Sequence, residues 1–269
     1  MKHLLFFLIC MFCATSYAQQ QNSVTIRGRV TDYNGQPIDS CAIDWQNHSF
    51  DIVKKAFTDK NGYYSTRIPK GKYQSMAAIN MSTYPHTVKP GLPEADQRLE
   101  FWAWDFIADR DTTLNIQYNR MEAYGLRVFH IPGGMPTYQI FVRPMSLTRF
   151  FEWKKETNPS SFRNGEKHDG SEQKPASEQA KAIRLAPPID KLKAVVLIDG
   201  EEVPVLMKQE VKEYFEADDY GNAYWLTVAY PKHSKKGLPY RIFKVELTDL
   251  ENGDRGEGLY YMEKENYVK

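Results

Sequence analysis

Apolar and polar residues alternate along much of the chain, which is the spacing of β-strands with one buried face. From Val24 to Val30 every second residue is apolar or glycine, and the residues between them are threonine or arginine. The same alternation recurs in four later segments: 64–68, 138–142, 224–230 and 243–247. The pattern predicts short strands, each with one side directed into a core.

Clusters of turn-forming residues separate these segments. Asn34-Gly35 and Asn61-Gly62 each follow an aspartate, and asparagine and glycine adopt positive φ angles at little cost, which suits tight turns. Helical spacing is sparse, although residues 208–216 form a candidate short helix with their apolar side chains on one side. The sequence therefore predicts an all-β fold built from antiparallel β-sandwiches.

The first eighteen residues have a different pattern. Lys2 precedes an apolar run from Leu4 to Cys13, and Ser16-Tyr17-Ala18 supplies a small-x-small site. This order is typical of a secretory signal peptide. We expect cleavage near Ala18 and an extracytoplasmic location, in the periplasm, on the outer surface or in the medium. No later stretch approaches the ~18 consecutive apolar residues of a membrane span, so no transmembrane segment is predicted.

The turns and strands of the N-terminal part also form a recognisable motif. Its positions are Gly28-x-Val30-x-Asp32-x-x-Gly35-x-Pro37-Ile38, Cys41-x-Ile43, Thr58-Asp59-x-x-Gly62-x-Tyr64 and Pro69-x-Gly71-x-Tyr73. In these positions the chain resembles the carboxypeptidase regulatory-like domain over residues 23–83, with a closing strand expected at 113–118. The resemblance implies a transthyretin-like, seven-stranded β-sandwich, generally non-catalytic and common in exported bacterial proteins. Cys41 stands where that family usually has alanine.

The organisation that follows has three parts. Residues 1–18 are the predicted signal peptide, 23–118 the regulatory-like sandwich and 119–269 a second β-rich, sandwich-like domain. Within the second domain, residues 156–182 contain Phe162 as their only large apolar side chain. Such a segment buries too little surface to offset its ordering entropy, so we predict a mobile loop there.

Charge and motifs restrict the function. The 35 lysines and arginines nearly balance 34 aspartates and glutamates, which excludes a basic nucleic-acid binder. The chain contains no G-x-S-x-G, no phosphate-binding G-x-x-x-x-G-K, no G-x-G-x-x-G and no H-E-x-x-H. We therefore predict no enzymatic activity and no cofactor. A pair of carboxylates, as in glycosidases, leaves no trace in sequence spacing, so a hydrolase stays a lesser alternative.

Aromatic residues supply the main candidate for a ligand site. In a strand, Trp102 and Trp104 share one face and Asp105 lies on the other. Indole rings stack on the C–H faces of sugars, and a nearby carboxylate accepts hydrogen bonds from sugar hydroxyls, so these residues are candidate glycan contacts. The alternative is that the rings fill a core or an interface, because aromatic residues bury large areas. Trp225 lies opposite the apolar face of its strand, which makes it a candidate for an exposed ring.

A second candidate site is rich in oxygen ligands. Residues 249–257 contain Asp249, Glu251 and Asp254, and calcium binds several carboxylate and carbonyl oxygens. The spacing does not match an EF-hand loop, and a solvated hairpin turn has the same composition. These residues are therefore only a weak metal candidate.

The leading hypothesis is a non-catalytic exported binding or scaffold protein whose candidate ligand is a glycan. A protein-interaction component of a cell-envelope assembly is the main alternative, with an envelope protein bound through residues 156–182 or a strand edge.

Overall fold

A computed structural model describes residues 22–157, 182–216, 219–233 and 237–264. The predicted signal peptide lies outside these ranges, as do residues 158–181 of the predicted mobile loop. In the described part of the chain, no helix combines the length and the apolar composition needed to cross a bilayer.

The predicted all-β fold is confirmed, because strands dominate the described residues. The strands of the N-terminal part are β1 (Ser23–Thr31), β2 (Ala42–Gln46), β3 (Ile52–Phe57), β4 (Tyr63–Pro69), β5 (Gly71–Lys72), β6 (Ser75–Ile79), β7 (Phe101–Trp104), β8 (Ile107–Ala108), β9 (Thr112–Thr113) and β10 (Ile116–Gln117). The remaining elements are β11 (Met121–His130), β12 (Thr137–Ser146), helix α1 (Leu147–Thr157), β13 (Ala182–Ile183), β14 (Leu192–Ile198), β15 (Glu201–Val203), β16 (Val205–Glu216), β17 (Asp219–Ala229), β18 (Tyr240–Asp249) and β19 (Arg255–Glu263). A short 3-10 turn covers Glu94–Asp96.

One large sheet joins the two predicted domains. Its eight strands run in the order β15-β14-β18-β19-β7-β6-β2-β3, and the two halves meet where β7 pairs in parallel with β19. A four-stranded sheet (β10-β1-β4, with β9 beside β1) and a five-stranded sheet (β11-β12-β17-β13, with β16 beside β17) pack against it. The predicted boundary at 118/119 falls between β10 and β11, yet strands from both sides of it share this sheet.

The two hydrophobic cores lie on opposite faces of the large sheet. Phe101 and Ala103 of β7 belong to the first core, with side chains of β1, β2 and β4. Their neighbour Trp104 belongs to the second core, with side chains of β12, β17 and β18. Because side chains alternate along a strand, this division places the four-stranded and five-stranded sheets on opposite faces.

The predicted aspartate–glycine turns are present and explain the local chain reversals. The N–H group of Gly62 donates to the Asp59 carbonyl at 2.8 Å, and the Asp59 carboxylate accepts the N–H groups of Asn61 and Tyr63. Gly62 has a φ of 79°, and a Cβ there would lie 2.4 Å from the Val30 carbonyl oxygen. Only glycine fits this turn without strain.

The predicted helix over 208–216 is wrong, because these residues form β16 and pair with β17 from Val205 to Glu216. The α-helix of the described residues is instead α1, which the sequence patterns did not indicate. It is held to the body of the protein by Leu147, Phe151 and Trp153, which are 1%, 8% and 7% exposed. Its last turn carries Lys154 and Lys155, where positive charge is favourable at a helix C-terminus.

Candidate binding surface

The predicted aromatic pair lies at the junction of the two halves of the large sheet. The rings of Trp102 and Trp104 stack with their centroids 5.1 Å apart and an interplanar angle of 14°. Trp102 is half-buried, whereas Trp104 is only 3% exposed. The two side chains share one face, as predicted, but they differ in their access to solvent.

Protein atoms surround the Trp104 ring. Trp102 stacks on it, the guanidinium of Arg127 lies 4.9 Å from its centroid, and Tyr124 and Phe50 make edge contacts at 5.6 and 6.3 Å. No ring face is left for a ligand, so Trp104 corresponds to the core alternative that the sequence left open. Its effect on the surface is indirect, because it supports the guanidinium of the exposed Arg127.

Asp105 ends β7 in a left-handed conformation with a φ of 52°. Its N–H group donates to the Gln74 carbonyl at 3.0 Å. Burial, followed by a hydrogen bond to the Asp105 carboxylate, raises the pKa of the Tyr260 hydroxyl. The half-buried Asp105 therefore already has a partner inside the protein, and its contacts are those of a strand end.

Trp225 has a different environment, on the outer face of the five-stranded sheet. The strand register aligns it with Phe141 on β12 and with Gln209 on β16, and Phe141 is aligned in turn with Arg127 on β11. We call these four residues the Trp225 row. Arg127 and Gln209 are exposed, and the two aromatic rings between them are half-buried. At about 4.8 Å per strand the row extends roughly 14 Å across the sheet.

A neighbouring row fixes the Trp225 ring. Its indole Nε1 donates to Oε1 of Gln139 at 2.7 Å, and the Thr227 hydroxyl donates to the same oxygen at 2.9 Å. The Phe129 ring meets the indole edge-on, with centroids 5.3 Å apart, and is 39% exposed. The indole N–H and the Thr227 hydroxyl both have the Gln139 oxygen as a hydrogen-bond acceptor, so the indole is held in one orientation.

Sequence reasoning identified Trp225 but missed its companions in the row. The inward face of β12 was evident from Tyr138, Ile140 and Val142, and these side chains lie in the second core. The opposite face of the same strand presents Gln139 and Phe141. That alternation was therefore a usable signal, but only the register could place Phe141 beside Trp225.

The acidic residues predicted as a weak metal candidate bind arginine and a helix end. Asp249 is fully buried and accepts hydrogen bonds from Nε and Nη2 of Arg149 at 2.6 and 3.1 Å. Glu251 accepts a further bond from Nη2 of Arg149 at 2.5 Å. One guanidinium thus bridges both carboxylates, a geometry suited to a charge-assisted pair.

Asp254, the third member of that candidate, holds the start of α1. Its Oδ2 accepts the Thr148 N–H at 2.9 Å and the Ser146 hydroxyl at 2.7 Å, and its Oδ1 lies 3.2 Å from Nε of Arg120. Within the described ranges, no group of three or more His, Cys, Asp or Glu side chains is arranged to hold a metal ion. The loop therefore fixes a helix N-terminus to the β18–β19 hairpin.

The structure also brings together two glutamates that sequence spacing did not connect. Glu100 and Glu122 are 6% and 3% exposed, and the Trp102 Nε1 lies 3.4 Å from Oε1 of each. Desolvation raises the pKa of Glu100. Desolvation and the adjacent charge of Glu100 raise the pKa of Glu122 well above its ordinary value. The pair is buried against an aromatic wall, without the exposure that contact with a substrate requires.

No protein-family model matches the chain, and no curated protein matches it. Among solved structures, it is similar to a candidate carbohydrate-binding protein from Bacteroides uniformis at 11% identity, covering 90% of this chain and 99% of that one with a TM-score of 0.26. A DUF3823 family protein from Parabacteroides merdae has 8% identity, coverage of 90% and 99%, and a TM-score of 0.25. BcpA, the major pilin subunit of Bacillus cereus, has 13% identity, coverage of 90% and 68%, and a TM-score of 0.25. Similarity at this level assigns no family.

Proposed function

We propose that the protein is a non-catalytic exported binding protein that binds a glycan along the Trp225 row. The observation behind this proposal is the register itself, which aligns Arg127, Phe141, Trp225 and Gln209 on the outer face of the five-stranded sheet. Export rests on the signal-peptide pattern of residues 1–18, and the regulatory-like assignment of residues 23–118 rests on the motif described above.

The chemistry of the row suits a sugar chain. The rings of Trp225 and Phe141 offer apolar surface at the centre, and such rings pack against apolar C–H groups. Arg127 and Gln209 supply hydrogen-bond donors and an amide acceptor at the two ends, where they meet hydroxyl or acidic substituents. The hydrogen bonds under Trp225 fix its orientation before binding, which lowers the entropy cost of association.

The hydrolase alternative depends on a carboxylate pair, and among the described residues Glu100 with Glu122 is one pair that the fold assembles without a cation between the two carboxylates. A glycosidase acid must reach the glycosidic oxygen, and its partner must reach the sugar ring or a water molecule. Both carboxyls are instead buried, and they share the Trp102 indole. Their position supports a structural role in joining β7 to β11.

The test is titration of the chain without residues 1–18 against a panel of soluble polysaccharides, followed by tryptophan fluorescence and calorimetry. We expect saturable binding to one glycan class, and we expect Trp225→Ala to weaken it by at least about tenfold, or ~1.4 kcal/mol. Tyr63→Ala is the matched control, because it removes an aromatic ring that is 55% exposed on the other sandwich.

Two results would contradict the proposal. One is the absence of binding to every polysaccharide in the panel. The other is binding that Trp225→Ala and Tyr63→Ala weaken equally, since the ligand would then not depend on the Trp225 row. Thermal unfolding of each variant distinguishes a lost contact from a lost fold.

A further inference from the structure

Both sheets of the first sandwich end in an edge strand on the same side, and each of these strands has a partner on one side only among the described residues. β3 is the last strand of the eight-stranded sheet, and β4 is the last strand of the main path of the four-stranded sheet. Among the described residues, β3 pairs only with β2 and β4 pairs only with β1. The two strands flank one groove, since Phe57 of β3 and Tyr63 and Ser65 of β4 all line it.

Apolar side chains are concentrated beside these edges. Of the fourteen large apolar side chains that are exposed in the described residues, four lie on β3 and β4. They are Ile52, Val53, Phe57 and Tyr63, which are 48%, 52%, 62% and 55% exposed. An exposed apolar strand edge is a template for pairing with another strand.

The backbone of β3 is free to accept such a strand. The Thr58 N–H donates to the Cys41 carbonyl of the neighbouring chain segment, and hydrogen-bonding direction alternates along a strand. The register pairs Ala56 and Lys54 with β2, so the N–H and C=O groups of Lys55 and Phe57 point outward. A register shift next to Gln46 interrupts this alternation at Val53. Lys55 and Phe57 therefore form the docking edge for an extended segment.

The groove provides room for a side chain at the end of this edge. Its volume is about 480 Å³, and Phe57, Tyr63 and Tyr64 form apolar walls. Arg27 and Asn115 line it as well. In β-strand addition, main-chain hydrogen bonds supply affinity and an adjoining pocket supplies specificity.

The charges beside the β3 edge indicate what kind of segment binds there. Residues 50–67 contain four basic side chains (Lys54, Lys55, Lys60, Arg67) and two acidic ones (Asp51, Asp59). A second copy of the chain that pairs antiparallel about Lys55 would place this lysine opposite its own counterpart, and like charges directly opposite each other are destabilising. An acidic strand would instead place carboxylates beside these basic side chains, which is favourable.

We propose that the β3 edge and its groove bind an extended segment of another protein, in which apolar and acidic residues alternate. The segment adds a ninth strand to the large sheet, outside β3. Its acidic side chains lie on the face of Lys54, and its apolar side chains lie on the opposite face, where one enters the groove beside Phe57. This surface lies on the first sandwich and is independent of the glycan proposal.

The probe is a capped peptide of roughly nine residues that alternates valine and glutamate, titrated into the isotopically labelled chain. We expect saturable binding with NMR shifts confined to β3, β4 and the groove. Phe57→Ala should weaken binding by roughly fivefold, since it removes one wall of the side-chain pocket. Replacing glutamate by lysine in the peptide should weaken it more, and raising the salt concentration should weaken binding of the glutamate peptide.

Main-chain pairing is tested by two further probes. The same peptide N-methylated at alternate residues keeps its side chains and loses its donors, so we expect its binding to be lost. Lys55→Pro removes an outward N–H, and Lys55→Thr is the control that retains it. The proposal is overturned if no binding occurs up to about 1 mM, if the lysine or N-methylated peptide binds equally well, or if the chain self-associates through β3.

Discussion

The tryptophans of β7 and of β17 show how the same residue pattern leads to opposite outcomes. Trp104 and Trp225 both lie in central strands, and both alternate with residues of a hydrophobic core. Trp104 is nevertheless closed off by Trp102, Arg127 and two aromatic edges. Trp225 faces outward beside Phe141 and Gln209. The two tryptophans differ because other parts of the protein pack on the sheet face of Trp104, whereas Trp225 lies on an outer face.

The strand β7 is covered on both sides because it lies where the two sandwiches join. The first core occupies the face of Phe101, and the second core with β11 occupies the face of Trp104. Among the described residues, β17 has a core on one side only, where Tyr224 and Leu226 lie. A tryptophan between two cores is enclosed, whereas Trp225 on the outer face keeps part of its ring exposed.

The sharpest test of this comparison is stability. We expect Trp104→Ala to lower the free energy of unfolding by about 3–5 kcal/mol, because it leaves a cavity between Trp102 and Arg127. We expect Trp225→Ala to cost only about 1 kcal/mol, since its ring is half-buried on an outer face. Urea unfolding of both variants measures the two values, and equal losses would remove the distinction between the two sites.

A smaller effect distinguishes the contribution of Arg127 to stability from its contribution to ligand binding. Arg127 lies over Trp104 and also ends the Trp225 row. We expect Arg127→Ala to weaken glycan binding by roughly three- to tenfold, or about 1 kcal/mol, by removing hydrogen-bond donors. We expect the same substitution to lower the free energy of unfolding by less than it weakens binding, because exposed cation–π contacts contribute only about 0.5–1 kcal/mol.

The control is Arg127→Lys, which keeps the charge but not the planar donor fork. Glycan binding that is unchanged in Arg127→Ala, yet lost in Trp225→Ala, would shorten the proposed site to its aromatic centre. Calorimetry against the same polysaccharide measures both variants.

The smallest expected effect is a pH dependence at the β7–β11 contact. The raised pKa values of Glu100 and Glu122 mean that the folded state retains a proton that the unfolded chain releases. Stability contributed by this pair is therefore present below the unfolded glutamate pKa of about 4.3 and falls as pH rises above it. Glu122→Gln imitates the protonated form, so it should stabilise the protein by about 1 kcal/mol at neutral pH.

Thermal unfolding between about pH 4 and pH 8 measures this prediction, because that range begins near the unfolded glutamate pKa. The wild-type chain should lose stability relative to Glu122→Gln as pH increases, and the two should converge at the acidic end. A Glu122→Gln variant that is less stable at pH 8 than at pH 4, by the same margin as wild type, would contradict the assignment.

Much of the fold could be predicted from local sequence patterns, and the predictions that were wrong have a common cause. The turns at Asp32 and Asp59 are dictated by side-chain hydrogen bonds within a few residues, so the sequence alone located them. Val211, Tyr214 and Phe215 fit a helix equally well in isolation. Pairing with β17 along the whole of β16 made them a strand instead, and that partner is not visible in a local window.

The sequence by itself determined the strand class, the turns and the two faces of each strand, because these depend on backbone preferences and on a period of two residues. Tertiary structure alone decided which faces were covered. It enclosed Trp104, brought Glu100 to Glu122, turned Asp249 and Asp254 into partners of arginine, and aligned Trp225 with Phe141 and Arg127. Burial and register depend on segments far apart in the chain, so the environment of a side chain is set by its neighbours in space.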